Sequence, residues 1–383
     1  MSQSGSCRAT KPNLCFYGTY PSSYTVSRIL EKAAVDAGFR IVRCHQPFLE
    51  SPLTSPAFTR PRHLLWFAAR YVASAARLWG QLARCPAEIL VAGFRGQLDV
   101  LLASLLRQTR QRKLVFAPLV TVSETVLDRG LSASSPSAVR LAGWLDRRSL
   151  NLADRVIIDT HTHSDYLRRT FGVSDQKVRV FHLGYDTETF RPSPPRKSDA
   201  TLRVLFYGSL LPLHGVGVMI SAARLLARET GIRFTFCGRG WLDAEVARQL
   251  AELPSGNVTR RGWIDYAQIP KLIADHDVCL GIFAANEKAA MVIPNKVYQC
   301  SAVGRTVVTA DTPAVREVFE HNETIILVPP DNPEALANAL LDLRRDREKL
   351  TGIATNAARW MQEQFAAPKQ AERFASTFVA SLE

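Results

Sequence analysis

No run of about 18 apolar residues, the length a membrane-spanning helix needs, occurs in the 383-residue sequence. The stretch from Met1 to Lys11 is polar, and the first apolar run, Leu14 to Tyr17, is too short for a signal-peptide core. Cysteine pairs at metal-binding spacing are missing too. The seven cysteines, at 7, 15, 44, 85, 237, 279 and 300, are scattered, and none forms a CxxC pair. They are expected to be reduced thiols, not a disulfide framework or a zinc site, in a cytoplasmic chain. Low-complexity tracts are absent. What remains is a globular composition, 46% hydrophobic and 22% charged, at a length that exceeds one core and suits two domains.

Positive charge is unevenly placed. Residues 1–200 hold 28 Lys and Arg against 15 Asp and Glu, whereas residues 201–383 hold 20 of each. A basic half beside a neutral one fits a domain that meets an anionic lipid surface or substrate, and equally one whose charge only aids solubility. The segment Arg60 to Arg84 carries five arginines and no acid. Arg70, Arg77 and Arg84 fall seven apart on one helix face, with Trp66, Phe67, Tyr71, Leu78 and Trp79 on others. Such a helix fits peripheral docking on an anionic membrane; a core helix with a solvated arginine stripe has the same pattern. No nucleic-acid-binding module is present, so nucleic acid is not an expected partner.

Short apolar runs at 13–18, 39–44, 89–92, 114–118 and 156–159 alternate with helical patterns such as 26–37, 98–107 and 138–152. That alternation predicts parallel βαβ units, an α/β fold with a doubly wound sheet. RPSPPRKSDA (191–200), with three prolines, reads as a linker. Beyond it the alternation restarts, with strands at 202–207, 233–237, 278–283, 306–310 and 325–328 and helices near 215–230, 242–252, 295–303, 313–320 and 333–345. The expected domains are therefore 1–190 and 201–365, joined by 191–200. A C-terminal helix (366–383) is placed to pack back onto the first domain. Two such sheets leave a cleft at the carboxyl ends of their strands.

The run from Leu280 to Phe319 is the richest in candidate chemistry. Its first strand leads to a loop with Glu287 and Lys288. Pro294 then opens a helix that places Asn295, Lys296 and Gln299 near its first turns, and Thr312-Pro313-Ala314 opens another that carries Glu317. Helix N-termini with nearby lysines suit a diphosphate, and Glu317 and Gln299 suit sugar or ribose hydroxyls. An ordinary strand–helix–strand with a polar rim has the same pattern. Gly18-Thr19-Tyr20, at the end of the first strand, belongs to the same cleft, either as a close-approach site or as a turn. In DTHTH (159–163), Asp159, His161 and His163 would share one face if extended, but no fourth ligand is apparent and no metal is expected.

The 280–319 run, followed by LVPPDNPEALANALLDL, resembles the C-terminal domain of family 4 glycosyltransferases, retaining enzymes of the GT-B fold. GYDTETF (184–190), FYGSLLPLHGV (206–216), FTFCGRG (234–240) and RRGWIDYAQIPKLIADHDVCLGIF (260–283) resemble further segments of that family in the same order. The resemblance implies two Rossmann-like domains, with the donor site in the second formed by Gly208, Ser209, Gly215, Gly238, Arg239, Lys288, Asn295, Gln299, Thr312 and Glu317. It also implies sugar transfer from a nucleotide sugar with retention, without a metal or cofactor. The acceptor would be a membrane-associated lipid-linked or glycan molecule, in surface polysaccharide or glycolipid assembly. A soluble small-molecule acceptor, or a non-catalytic binding role, are the alternatives.

The sequence also departs from the family pattern. Where the family has two glutamates separated by seven residues, Met291 and Gln299 stand, and where it has Arg and Lys to grip the diphosphate, Ser209 and His214 stand. Lys296, Lys288, Arg239 and a protonated His214 are the expected replacements. At the end of the strand 114–118 the family often has a histidine; here Ala117 and Pro118 stand, and Glu124 is the nearest polar candidate.

Overall fold

The computed structural model describes residues 11–20, 25–47, 61–107, 111–128, 136–196, 199–253 and 256–379. The first half runs β1 (Asn13–Gly18), α1 (Thr25–Asp36), β2 (Arg40–His45), α2 (Pro61–Arg84), β3 (Ile89–Ala92), α3 (Gln97–Arg107), β4 (Lys113–Phe116), α4 (Val122–Asp128), α5 (Pro136–Leu152), β5 (Arg155–Ile158), α6 (His161–Phe171) and β6 (Val178–Val180). Its six strands form one parallel sheet in the order β2-β1-β3-β4-β5-β6. Strands such as Ile89–Ala92 are buried along their whole length, as they must be when helices cover both faces of a parallel sheet.

The second half repeats the plan. It runs β7 (Leu202–Tyr207), α7 (Val216–Leu225), β8 (Ile232–Cys237), α8 (Asp243–Ala251), β9 (Val258–Arg261), α9 (Ile269–Ala274), β10 (Val278–Leu280), α10 (Glu287–Met291), α11 (Asn295–Val303), β11 (Thr306–Ala310), α12 (Pro313–Arg316), β12 (Ile326–Val328), α13 (Pro333–Arg345), α14 (Arg347–Phe365) and α15 (Ala367–Val379). The sheet order is β9-β8-β7-β10-β11-β12, again all parallel. Each sheet therefore has a switch point, beside β1 in the first and between β7 and β10 in the second, where a crevice opens at the strand ends.

Residues that follow the strand ends of the two sheets touch one another. The Thr160 hydroxyl, just after β5, donates to the Met291 carbonyl at 2.5 Å. Ile282, Ala289, Met291 and Val292 share a core with β1, β3 and β4. The carboxyl ends of the two sheets therefore face each other. The helix α15 returns to the first sheet, where Phe374 and Phe378 stack at 4.0 Å and Phe374 meets Phe39 and Phe181 edge-on. Each fully buried ring contributes about 1.5–3 kcal/mol to that attachment.

Several details differ from the sequence expectations. The strand expected over 278–283 ends at Leu280, because the Ile282 N–H turns to the Thr309 hydroxyl and the Phe283 N–H to the His214 carbonyl. The helix expected over 313–320 is four residues long. The edge strands β6 and β9 were not expected, since VTRR has no apolar run and lies largely exposed. No described helix is long and apolar enough to cross a membrane.

Candidate active site

The crevice beside β7 is built by glycines. Gly208 (φ +134°), which ends β7, and Gly238 (φ +140°), which ends β8, lie so close that a Cβ on Gly238 would meet the Gly208 carbonyl oxygen at 1.9 Å. Gly215 (φ +62°) caps α7, and a Cβ there would strike the Phe283–Ala284 backbone at 2.6–2.7 Å. Only residues without a side chain let these loops approach.

Into this crevice projects Lys296, from the first turn of α11. It is buried; its Nζ lies 3.2 Å from where a Gly208 Cβ would stand and 4.1 Å from the centroid of the Phe206 ring. No hydrogen-bond partner reaches that nitrogen. Burial lowers its pKa to about 7, against a weaker opposing effect from Cys300. His214 lies beside it, equally buried, with its Nδ1 unpaired. Burial and then the Lys296 charge push His214 well below its ordinary value, so it is neutral, not the protonated group expected from the sequence. Lys288, on α10, also depresses His214 and stands 3.9 Å from Asp128 of α4 across the cleft. A buried lysine without a hydrogen-bond partner, at a nine-residue helix N-terminus between two glycine loops, has the charge and free N–H groups that suit an anion.

Residues 14–184 match the description "Glycosyl transferase 4-like domain" and residues 201–346 match "Glycosyl transferases group 1". Together these two matches span both sheets. The chain belongs to the group 1 glycosyltransferases. It is similar to the amylovoran biosynthesis glycosyltransferase AmsK of Erwinia amylovora, 25% identical over 197 residues, 51% of this chain and 48% of AmsK. A D-inositol 3-phosphate glycosyltransferase of Thermobispora bispora is 24% identical over 276 residues, 64% of this chain and 60% of that protein. The chain thus spans about half the length of the curated relatives it matches, or somewhat more. Anabaena HepE, solved in complex with UDP-glucose, shares the fold at a TM-score of 0.71 and 18% identity, covering 97% of this chain and all of HepE. Its two-domain architecture is GT-B.

In this group 1 glycosyltransferase several side chains expected to bind the donor are engaged elsewhere. Glu317 accepts from the N–H groups of His161 (2.7 Å) and Thr162 (2.8 Å) and from the Thr162 hydroxyl (2.8 Å), and its Oε2 meets His182 Nε2 at 3.0 Å. It therefore caps α6 across the interface. Burial raises its pKa, but the hydrogen bonds from His182, Thr162 and His161 outweigh this and hold it at about 2. Gln299, expected to be accessible, is buried and accepts the Tyr207 hydroxyl at 2.7 Å. Thr312 caps α12 through the Val315 N–H at 3.3 Å. Asn295 opens α11 half-buried, Ser209 lies on the loop after β7 with its carbonyl bonded to the Leu211 N–H, and Arg239 is exposed beside Gly262.

On the facing side, Glu124 is also withdrawn. Its Oε2 accepts from the Thr121 N–H (2.5 Å) and hydroxyl (2.6 Å), while Oε1 stands 3.2 Å from His163 Nε2, off the line of a hydrogen bond. His163 Nδ1 meets Asp159 at 2.8 Å. Burial lowers the imidazole pKa, but the two carboxylates overcome this and raise it to about 10. The strand-end geometry that would have aligned His161 and His163 on a metal is replaced by a helix, and only His163 points inward. At the first switch point the Thr19 N–H and hydroxyl donate to Asp99, at 2.8 Å and 3.1–3.2 Å. A Cβ on Gly18 (φ +151°) would meet the Tyr20 ring at 2.7 Å, which explains the glycine as a packing need. Tyr20 itself is buried against His45. Asp99 was missed as a cleft-side group, and His163 was weighed only as a metal ligand. Asp99 had a signal in hindsight, a lone acid opening the apolar helix QLDVLLASLL, and burial raises it to about 6 against the Thr19 hydrogen bonds.

Proposed function

We propose that the protein transfers a sugar from a nucleotide-sugar donor to a membrane-associated lipid-linked or glycan acceptor, with retention and without a metal, in surface polysaccharide or glycolipid assembly. The observation that carries this reading is Lys296, a buried lysine whose nitrogen has no hydrogen-bond partner at the second switch point. The donor diphosphate pairs with Lys296 and the N-terminus of α11, and the glycine loops at Gly208, Gly215 and Gly238 admit its oxygens. The acceptor hydroxyl attacks the anomeric carbon on the face the diphosphate leaves, and its proton passes to a donor phosphate oxygen. Lys296 acts most strongly where the leaving charge grows, because it is buried from bulk solvent. That AmsK serves amylovoran biosynthesis, and that HepE was solved with UDP-glucose, support the donor and acceptor classes.

Docking on an anionic surface rests on the outer helices of the first domain. Arg70, Arg77 and Arg84 are exposed on α2, while Leu78 and Leu82 are buried and Trp79 packs partly inward; the side chains of Trp66 and Phe67 lie outside the described residues. On α5, Leu141 (65% exposed) and Trp144 (54%) stand among exposed Arg140, Arg147 and Arg148. Apolar side chains amid arginines fit a lipid headgroup layer.

The test is thermal unfolding with UDP-, GDP-, ADP- and TDP-sugars and the free diphosphates. A ligand at about a hundred times its dissociation constant stabilises by roughly 2.7 kcal/mol. A midpoint shift with one nucleotide, abolished by Lys296→Ala, is expected. No shift with any nucleotide would overturn the donor assignment and favour a non-catalytic role.

A further inference from the structure

Three cysteines that are far apart in sequence converge on the α2 side of the first sheet. Cys15 pairs with Val42 and Tyr17 with Cys44 across β1 and β2, so Cys15 and Cys44 project from the same face. Cys85 follows the last turn of α2 and reaches the same point. The three sulfurs lie within 4.8 Å of one another, among Leu78, Leu82 and Ala87. Elsewhere among the described residues no other group of three or more His, Cys, Asp or Glu side chains is close enough to share an ion.

A second observation points to negative charge at this place. Arg112 is 3% exposed; its Nη1 donates to the Leu82 carbonyl at 2.8 Å and its Nη2 to the Cys85 carbonyl at 2.5 Å. Its Nε has no hydrogen-bond partner, and no carboxylate among the described residues pairs with it. A guanidinium stays charged at any ordinary pH, and a buried charge is normally compensated. Thiolates beside Cys85 would supply the missing anion.

We propose that Cys15, Cys44 and Cys85 form a three-thiolate site for one soft, thiophilic metal ion of the Cu(I) type. Metal–sulfur bonds of about 2.3 Å in a trigonal arrangement hold the sulfurs about 4.0 Å apart, so the triangle need close by less than an ångström. Soft thiolates select such ions. Zinc prefers a fourth ligand, which the apolar wall of Leu78 and Leu82 does not supply. Binding releases the thiol protons to solvent, and Arg112 offsets part of the resulting negative charge. The site lies in the first domain, apart from Lys296, and does not depend on the donor reading.

The test is anaerobic titration of the reduced full chain with Cu(I) held by bathocuproine disulfonate. One Cu(I) per chain should leave the chelator, and copper X-ray absorption should count three sulfur neighbours. Cys44→Ser and Cys85→Ser should each weaken retention by at least about a hundredfold, since even loss of a supporting contact costs 10–100-fold. Cys279→Ser, in the second sheet, should change nothing. Failure of the wild-type chain to take copper, fewer than three sulfurs at the metal, or retention by folded Cys44→Ser and Cys85→Ser variants would each overturn the assignment and leave three core thiols. The absorption measurement needs no variant, so a substitution that prevents folding does not blunt the test.

Discussion

Raising the pH from 7 to 9 should weaken nucleotide binding by up to about fiftyfold, because Lys296 must be protonated to pair with a diphosphate. Burial sets its pKa at about 7 in the free protein, so half the molecules carry the ammonium at pH 7. At pH 9 roughly one in a hundred does, and the ratio corresponds to about 2.3 kcal/mol of binding free energy. The sign follows from linkage. The diphosphate raises the pKa of Lys296 in the complex, so binding takes up a proton and affinity falls as pH rises above 7. Titration calorimetry at pH 7, 8 and 9, in buffers of different ionisation enthalpy, reads both the affinity and the proton uptake. Lys296→Met should remove the pH dependence together with most of the affinity. It should also stabilise the ligand-free protein near pH 7. A lysine depressed in the folded state makes stability rise with pH between about 7 and its ordinary 10.5, by up to about 1.4 kcal/mol per unit. Affinity that is flat from pH 7 to 9 in the wild-type chain, or unchanged in Lys296→Met, refutes the placement of the diphosphate.

Glu317→Gln should cost about 1–2 kcal/mol by weakening the cap on α6, with nucleotide affinity nearly unchanged, as urea unfolding and calorimetry can show. The carboxylate is held at about 2 against an ordinary 4.5, so its stabilisation is present above about 4.5 and lost as pH falls towards 2; the variant should lack that slope. Gly238→Ala forces a methyl group to within 1.9 Å of the Gly208 oxygen at a φ that side chains avoid, and should abolish nucleotide-induced thermal shifts. Gly217→Ala, in α7 with nothing within 4 Å, should instead stabilise by about 0.5–1 kcal/mol, as a matched control. Replacing Arg70, Arg77 and Arg84 by Gln should reduce binding to anionic vesicles roughly a hundredfold, at about 1 kcal/mol per residue, without altering the nucleotide shift. Equal vesicle sedimentation of this variant and the wild-type chain would remove α2 from the docking surface.

Local pattern was enough for most of the elements and the class of fold, though not for the edge strands β6 and β9. Apolar runs of four to six residues, spaced by amphipathic helices and broken at glycines, read as parallel strands whether or not their partners are known. Glycines at strand ends and the PNK opening of α11 likewise marked the second switch point, because a positive φ and a helix N-terminus are local properties. Three-dimensional packing decided which polar groups remain free there. Glu317, Gln299, Thr312 and Glu124 were all plausible ligand residues by type, but each meets a partner from 3 to 156 positions away. A carboxylate's role is set by whichever N–H groups reach it first. Sequence spacing also made the cysteines look unrelated. The register of β1 with β2 and the length of α2 bring three of them together. Solvent exclusion over Lys296 is decided at the same level, since a lysine's pKa depends on the dielectric around it and not on its neighbours in the chain.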